Sequence, residues 1–141
     1  MSTDMIYPAV ALVALTAIVW VRLYIERIGE LRKRNIDPQS LATAANAAQT
    51  LRHVQASDNL RNLFEVPVLF YALCALVIAS GVSSPLLVFG AWAYVALRCV
   101  HSYIHVTYNR VIHRFVVYSA STVLLFALWG VLLVHYLRVA S

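Results

Sequence analysis

Polar and apolar positions fall in blocks along this chain rather than alternating. Once the charged residues are marked, long uncharged stretches remain between them. A run of ~18 or more apolar residues is long enough to cross a bilayer as a helix. Four runs qualify, at about residues 5–25, 63–79, 86–106 and 116–137. The expected fold is an all-α integral membrane protein, a four-transmembrane-helix bundle forming one domain over residues 1–141. Its only sizeable segment outside the membrane is the loop at about 27–60, where Pro38-Gln39-Ser40-Leu41 opens a short capped helix before an Ala-rich stretch. With no repeat, low-complexity tract or soluble module, any activity must reside in the bundle or its rim.

Composition strengthens the membrane reading. Hydrophobic residues make up 62% of the chain and charged residues 12%, against roughly a quarter charged in soluble domains. Mean hydropathy is +0.75. The opening Met-Ser-Thr-Asp lacks the basic region of a secretory signal, so the first span is expected to be retained. Cys74 and Cys99 both fall inside expected spans, where a thiol behaves as a small hydrophobe, and no disulfide framework is expected.

A net charge of +5 could point to nucleic acid, but the basic residues flank membrane segments instead of forming a patch interleaved with exposed aromatics. Arg27, Arg32, Lys33, Arg34 and Arg52 lie between spans one and two, whereas residues 81–85 carry no charge. Basic residues collect in cytoplasmic loops near helix ends, so the first loop is expected inside and both termini outside.

This topology brings nearly all the ionisable residues to one level. Arg22 and Glu26 end the first span; Arg61, Asn62 and Glu65 open the second; Arg98, His101 and His105 close the third; Arg110, Arg114 and Tyr118 open the fourth. Charged groups at membrane depth are costly unless paired or lining a cavity, and by default mark a function. Snorkelling to the headgroups accounts equally well for Arg22, Arg27, Arg110 and Arg138, but less well for Glu65. Residues three or four apart share a helical face, so Arg61 with Glu65, Tyr94-Arg98-His101-His105, and Arg110-Arg114-Tyr118 are expected to form three polar stripes around one cavity. Arginines clamp carboxylates and a glutamate holds an ammonium, so such a cavity suits a small peptide-like anion that also carries an amine. Pro67 is expected to bend the second span beside it.

Arg61-Asn62-Leu63-Phe64-Glu65-Val66-Pro67, with Arg98-x-x-His101 and Arg114-x-x-x-Tyr118, resembles the MAPEG family of membrane glutathione transferases and eicosanoid synthases over almost the whole chain. The resemblance implies a homotrimer holding glutathione as thiol cosubstrate between neighbouring subunits, without a metal. It implies that Arg61, Asn62, Glu65, His101 and Tyr118 contact glutathione, with Arg22 a looser match, and that Arg114 activates the thiol. Arg98, His105 and Arg110 join them as candidate binding residues on the same stripes. His105 stands where the eicosanoid synthases usually have tyrosine, and Asp58 and Asn59 stand where eukaryotic relatives tend to be more basic. Those departures favour a bacterial-type member of an inner membrane, acting on a lipophilic electrophile that enters from the lipid. Two other readings stay open: a non-catalytic ligand- or lipid-binding accessory subunit of the same fold, and a metal site on His101 and His105 with Glu65 or His113.

Overall fold

In the computed structural model the chain is helical, and no strand occurs among the described residues. The structure describes residues 2–52 and 54–140, without the side chains of Ser2, Val139 and Ala140; the ends of the expected domain, Met1 and Ser141, lie outside them. Six α-helices follow in order: α1 Ile6–Arg34, α2 Ala44–Thr50, α3 Gln55–Leu63, α4 Pro67–Ala79, α5 Pro85–Val106 and α6 Val111–Ala140. Four stretches are long and apolar enough to cross a membrane: Thr3–Arg34, Gln55–Ala79, Pro85–Val106 and Val111–Arg138.

The first helix runs past the expected end of its span, to Arg34. Charge marks where a helix leaves the lipid, not where it stops. Pro8, Leu12, Val19, Leu23 and Glu30 form its buried face, at spacings of four and seven that keep one stripe against the bundle. At its end, Arg34 Nη1 donates to Glu30 Oε1 at 2.5 Å and to the Thr50 carbonyl at 2.7 Å, while Glu30 also accepts the Arg52 backbone N–H at 2.8 Å. These bonds dock the α1 tail onto the connection leading to α3. Asn35, left-handed at φ 48°, closes the helix, a conformation asparagine tolerates better than most residues. Within the connection, Asp37 caps a 3-10 turn over Pro38–Leu41, and Thr43 caps α2.

The second span is a helix in two pieces. Pro67 opens α4 and residues 64–66 are not helical, because proline has no N–H to give and crowds the preceding turn. Arg61 and Asn62 therefore belong to α3 while Glu65 sits in the break, so the expected continuous Arg61–Glu65 stripe does not exist. After α4, Gly81 turns the chain at φ 71°. Ser84 then accepts from the Leu87 N–H, with Pro85 as the first residue of α5.

Helix α5 is the hub of the bundle, with nine residues buried along it. Tyr94 stacks on Phe70 of α4 with ring centroids 4.6 Å apart. Gly90 lets α6 come close: a Cβ there would lie 2.3 Å from Leu128 Cδ2. At Gly130, on α6, nothing lies within 4 Å of the Cβ position. The outward faces carry large apolar side chains, Phe89 at 80% and Val123 at 68% exposure among them. Water does not support so much contiguous apolar surface; lipid or a neighbouring subunit does.

Candidate functional site

One face of the C-terminal half of α5 is polar and buried. Arg98 is 0% exposed, His101 2%, Ser102 3% and His105 1%. Arg98 Nη2 donates to the Asn62 carbonyl at 3.0 Å, and its Cζ lies 5.6 Å from the Tyr118 ring centroid, within reach of a cation–π contact. Among the described residues its Nε and Nη1 meet no protein hydrogen-bond partner, nor do His101 Nε2, either His105 nitrogen, the Tyr94 hydroxyl or Asn59 Nδ2. Buried polar atoms are normally satisfied, and one left unmade costs ~1–3 kcal/mol. So many together, around a buried guanidinium, make this the candidate site.

Helix α6 supplies the facing wall. Arg114 and Tyr118 are one turn apart, and with Asn62, His101, Val111 and Phe115 they line a cavity of about 200 Å³. His101 Nδ1 lies 3.2 Å from the Arg114 carbonyl oxygen. A carbonyl only accepts, so Nδ1 carries the proton of that bond, and in the neutral ring Nε2 keeps its lone pair. The His101 and Tyr118 rings are 5.7 Å apart. The guanidinium of Arg114 donates from Nη1 to Asn109 Oδ1 at 2.8 Å; that bond uses one of its five N–H groups. The lining of the cavity thus combines a cation, a phenol and apolar Val111 and Phe115 from α6 with an imidazole from α5 and an amide from α3.

The structure brings Asn62, His101, Arg114 and Tyr118 around this cavity, with Arg98 and His105 behind it. It places the remaining candidates elsewhere on the protomer. Arg61 faces a separate cleft of about 530 Å³ together with Arg27 and Asp58. Glu65 is exposed in the break between α3 and α4, though its charge acts on Arg98. Arg110 is exposed at the turn before α6. Arg22 pairs with Glu26 at 2.7 Å and donates to the Val106 carbonyl at 2.8 Å, tying α1 to the end of α5.

Sequence reasoning missed three polar residues here. Ser102 Oγ donates to Asn59 Oδ1 at 3.2 Å, joining α5 to α3 at full burial. The signal was available, since Ser102 is four residues after Arg98 and Asn59 three before Asn62. The third, Asn109, lies in a turn that no helical period reaches. Among the described residues no three His, Cys, Asp or Glu side chains gather as a metal cluster. His101 and His105, with ring centroids 5.7 Å apart, are instead flanked by the cations Arg98 and Arg114.

No curated protein and no solved structure matches the chain significantly. The sequence model of the MAPEG family does, over residues 5–134, taking in all four membrane-spanning stretches nearly end to end and every residue of the cavity. By that match this four-helix membrane protein belongs to the MAPEG family.

Proposed function

We propose that the protein is a membrane-bound glutathione-dependent transferase that conjugates lipophilic electrophiles, or reduces lipophilic peroxides, with a thiolate stabilised by Arg114. The observation that carries this reading is Arg114 in the lining of a small cavity that it shares with His101, Tyr118 and the apolar Val111 and Phe115. A free thiol with a pKa of ~8.5 is mostly protonated at neutral pH, and the thiolate is the nucleophile. A fixed guanidinium stays charged and offers hydrogen bonds to the sulfur, so it favours the anion. The thiol proton leaves to water. In conjugation the sulfur then forms the new C–S bond while the leaving group departs with its electron pair. In peroxide reduction it takes the terminal peroxide oxygen, the O–O bond breaks to release the alcohol, and a second glutathione converts the sulfenic acid to the disulfide and water.

Recognition of the tripeptide fits the other groups. The unpartnered donors of Arg98 suit a carboxylate, and a charge-assisted bond of that kind is stronger than a neutral one. The cavity of one protomer, about 200 Å³, is smaller than the ~300–1,000 Å³ of most ligand sites. A site completed by a neighbouring subunit answers that shortfall, and in a homotrimer it gives Arg61, Glu65, Arg110 and Arg22 a place as glutathione contacts from the rim. Arg27, Arg32, Lys33, Arg34 and Arg52 at the α1 end of the molecule support a cytoplasmic position for that rim, with the termini outside, in a bacterial inner membrane.

The test is conjugation of glutathione to a generic aromatic halide by the detergent-solubilised protein. Turnover by the wild type and a loss of about a hundredfold or more in Arg114→Ala, as for removal of an electrostatic catalytic donor, are expected. Turnover at equal rates in the two proteins would remove Arg114 from the chemistry, and none above background in either would leave the fold as a binding or accessory subunit.

A further inference from the structure

The turn joining α5 to α6 has an unusual centre. Asn109 is left-handed at φ 47°, and its N–H donates back to the Ile104 carbonyl at 2.9 Å, so the chain leaves α5 and enters α6 in a fixed direction. A left-handed residue in a turn is most often glycine, which adopts that region without cost. What asparagine adds is its side chain, and here Oδ1 accepts from Arg114 Nη1 at 2.8 Å. Arg114 is thereby held at both ends, its guanidinium by Asn109 and its carbonyl by His101.

We infer that Asn109 is a positioning residue for the thiol chemistry: it fixes the Arg114 guanidinium where the sulfur of glutathione is to sit. The inference rests on the function proposed above. An arginine has long flexible reach, and in a cavity of this size an unrestrained guanidinium would sample positions that leave the sulfur unpaired; catalytic groups must be held near their productive geometry. Asn109 is neutral, so it restrains Arg114 without offsetting its charge. An aspartate would form an ion pair and weaken the field at the sulfur. The charged or titratable groups near Arg114 are Arg98, His101 and His105 from α5, Tyr118 and the adjacent His113 from α6, and Arg110, whose carbonyl accepts the Arg114 N–H; beyond them, Glu65 acts on Arg98 and Asp58 on His105. They are the same in every variant below.

The experiment compares wild type, Asn109→Gly, Arg114→Ala and the double variant, each as full-length solubilised protein, in aryl halide conjugation across pH. Asn109→Gly keeps the left-handed turn and removes only the acceptor. Its kcat is expected to fall about tenfold, its KM for glutathione to stay within about twofold, and the acid limb of its pH–kcat profile to move to higher pH. In the Arg114→Ala background the same substitution is expected to add nothing, because it acts through Arg114. A wild-type profile in Asn109→Gly, or an undiminished further loss in the double variant, overturns the inference. Should Asn109→Gly not fold, Asn109→Asp replaces it. That change suits the same turn but sets a negative charge on the guanidinium, so the acid limb should again move up, and an unmoved limb overturns the inference. Wild-type protein that neither binds nor turns over glutathione contradicts the underlying function instead.

Discussion

The two halves of α5 share one helix and one burial level but carry opposite chemistry. Toward its N-terminus, Leu87, Ala91 and Val95 are buried apolar residues, and Gly90 admits Leu128 of α6 into close contact. Toward its C-terminus, Arg98, His101, Ser102 and His105 are as thoroughly buried, yet several of their polar atoms have no partner. The first half resembles any packed core. The second half ties α5 to α3 through only two of its polar groups, Arg98 to the Asn62 carbonyl and Ser102 to Asn59, and a buried charge at membrane depth by default marks a functional site. Apolar packing and the candidate site are thus separated along a single helix, with Tyr94 at the boundary, stacked on Phe70 through its ring but with its hydroxyl bonded to no described protein atom.

Substitutions can break that division from either side. The largest effect is expected from Arg98→Met, which keeps most of the volume and removes the buried charge. Replacing buried ions by well-packed apolar groups is often neutral or stabilising by ~1–4 kcal/mol. The melting temperature in detergent should therefore hold or rise while glutathione affinity, measured by calorimetry, drops about tenfold to a hundredfold, the worth of a charged hydrogen bond. A variant that unfolds would mean Arg98 is a structural anchor after all. Gly90→Ala should do the reverse. Its new Cβ would lie 2.3 Å from Leu128 Cδ2, so Leu128 must move, at a cost of about 1–3 kcal/mol, visible as a lower melting temperature with glutathione affinity unchanged. The smallest change is expected for Ser102→Ala, which removes the bond to Asn59. A loss of ~1 kcal/mol or less in the same melting assay, with binding intact, would place Ser102 on the structural side.

Much of this division was legible in the sequence, because bilayer length and helical spacing are read directly. The four spans follow from apolar runs, and the stripe Tyr94-Arg98-His101-His105 follows from its three- and four-residue spacing; all four side chains are buried on one face of α5. Spacing failed where the helix did. Pro67 interrupts the second span, so Arg61 and Glu65, four apart in sequence, lie on different elements and face different surroundings. Charge also misled at α1, where Arg27, Glu30 and Arg34 read as loop but continue the helix, because Arg34 and Glu30 pair one turn apart. The hold of Asn109 on Arg114 depends on a left-handed turn, which periodicity does not encode. In the proposed function Arg22, Arg61, Glu65 and Arg110 act only across a contact between subunits, which the spacing of residues along one chain does not encode.

The central claim is that Arg114 stabilises a thiolate within this cavity, and ultraviolet difference spectroscopy reads the thiolate directly. Titrating glutathione into the solubilised protein at neutral pH should raise the thiolate absorbance to saturation in the wild type, and Arg114→Ala should bind without that signal. Saturable binding with no thiolate band in the wild type, or an equal band in both proteins, would contradict the account.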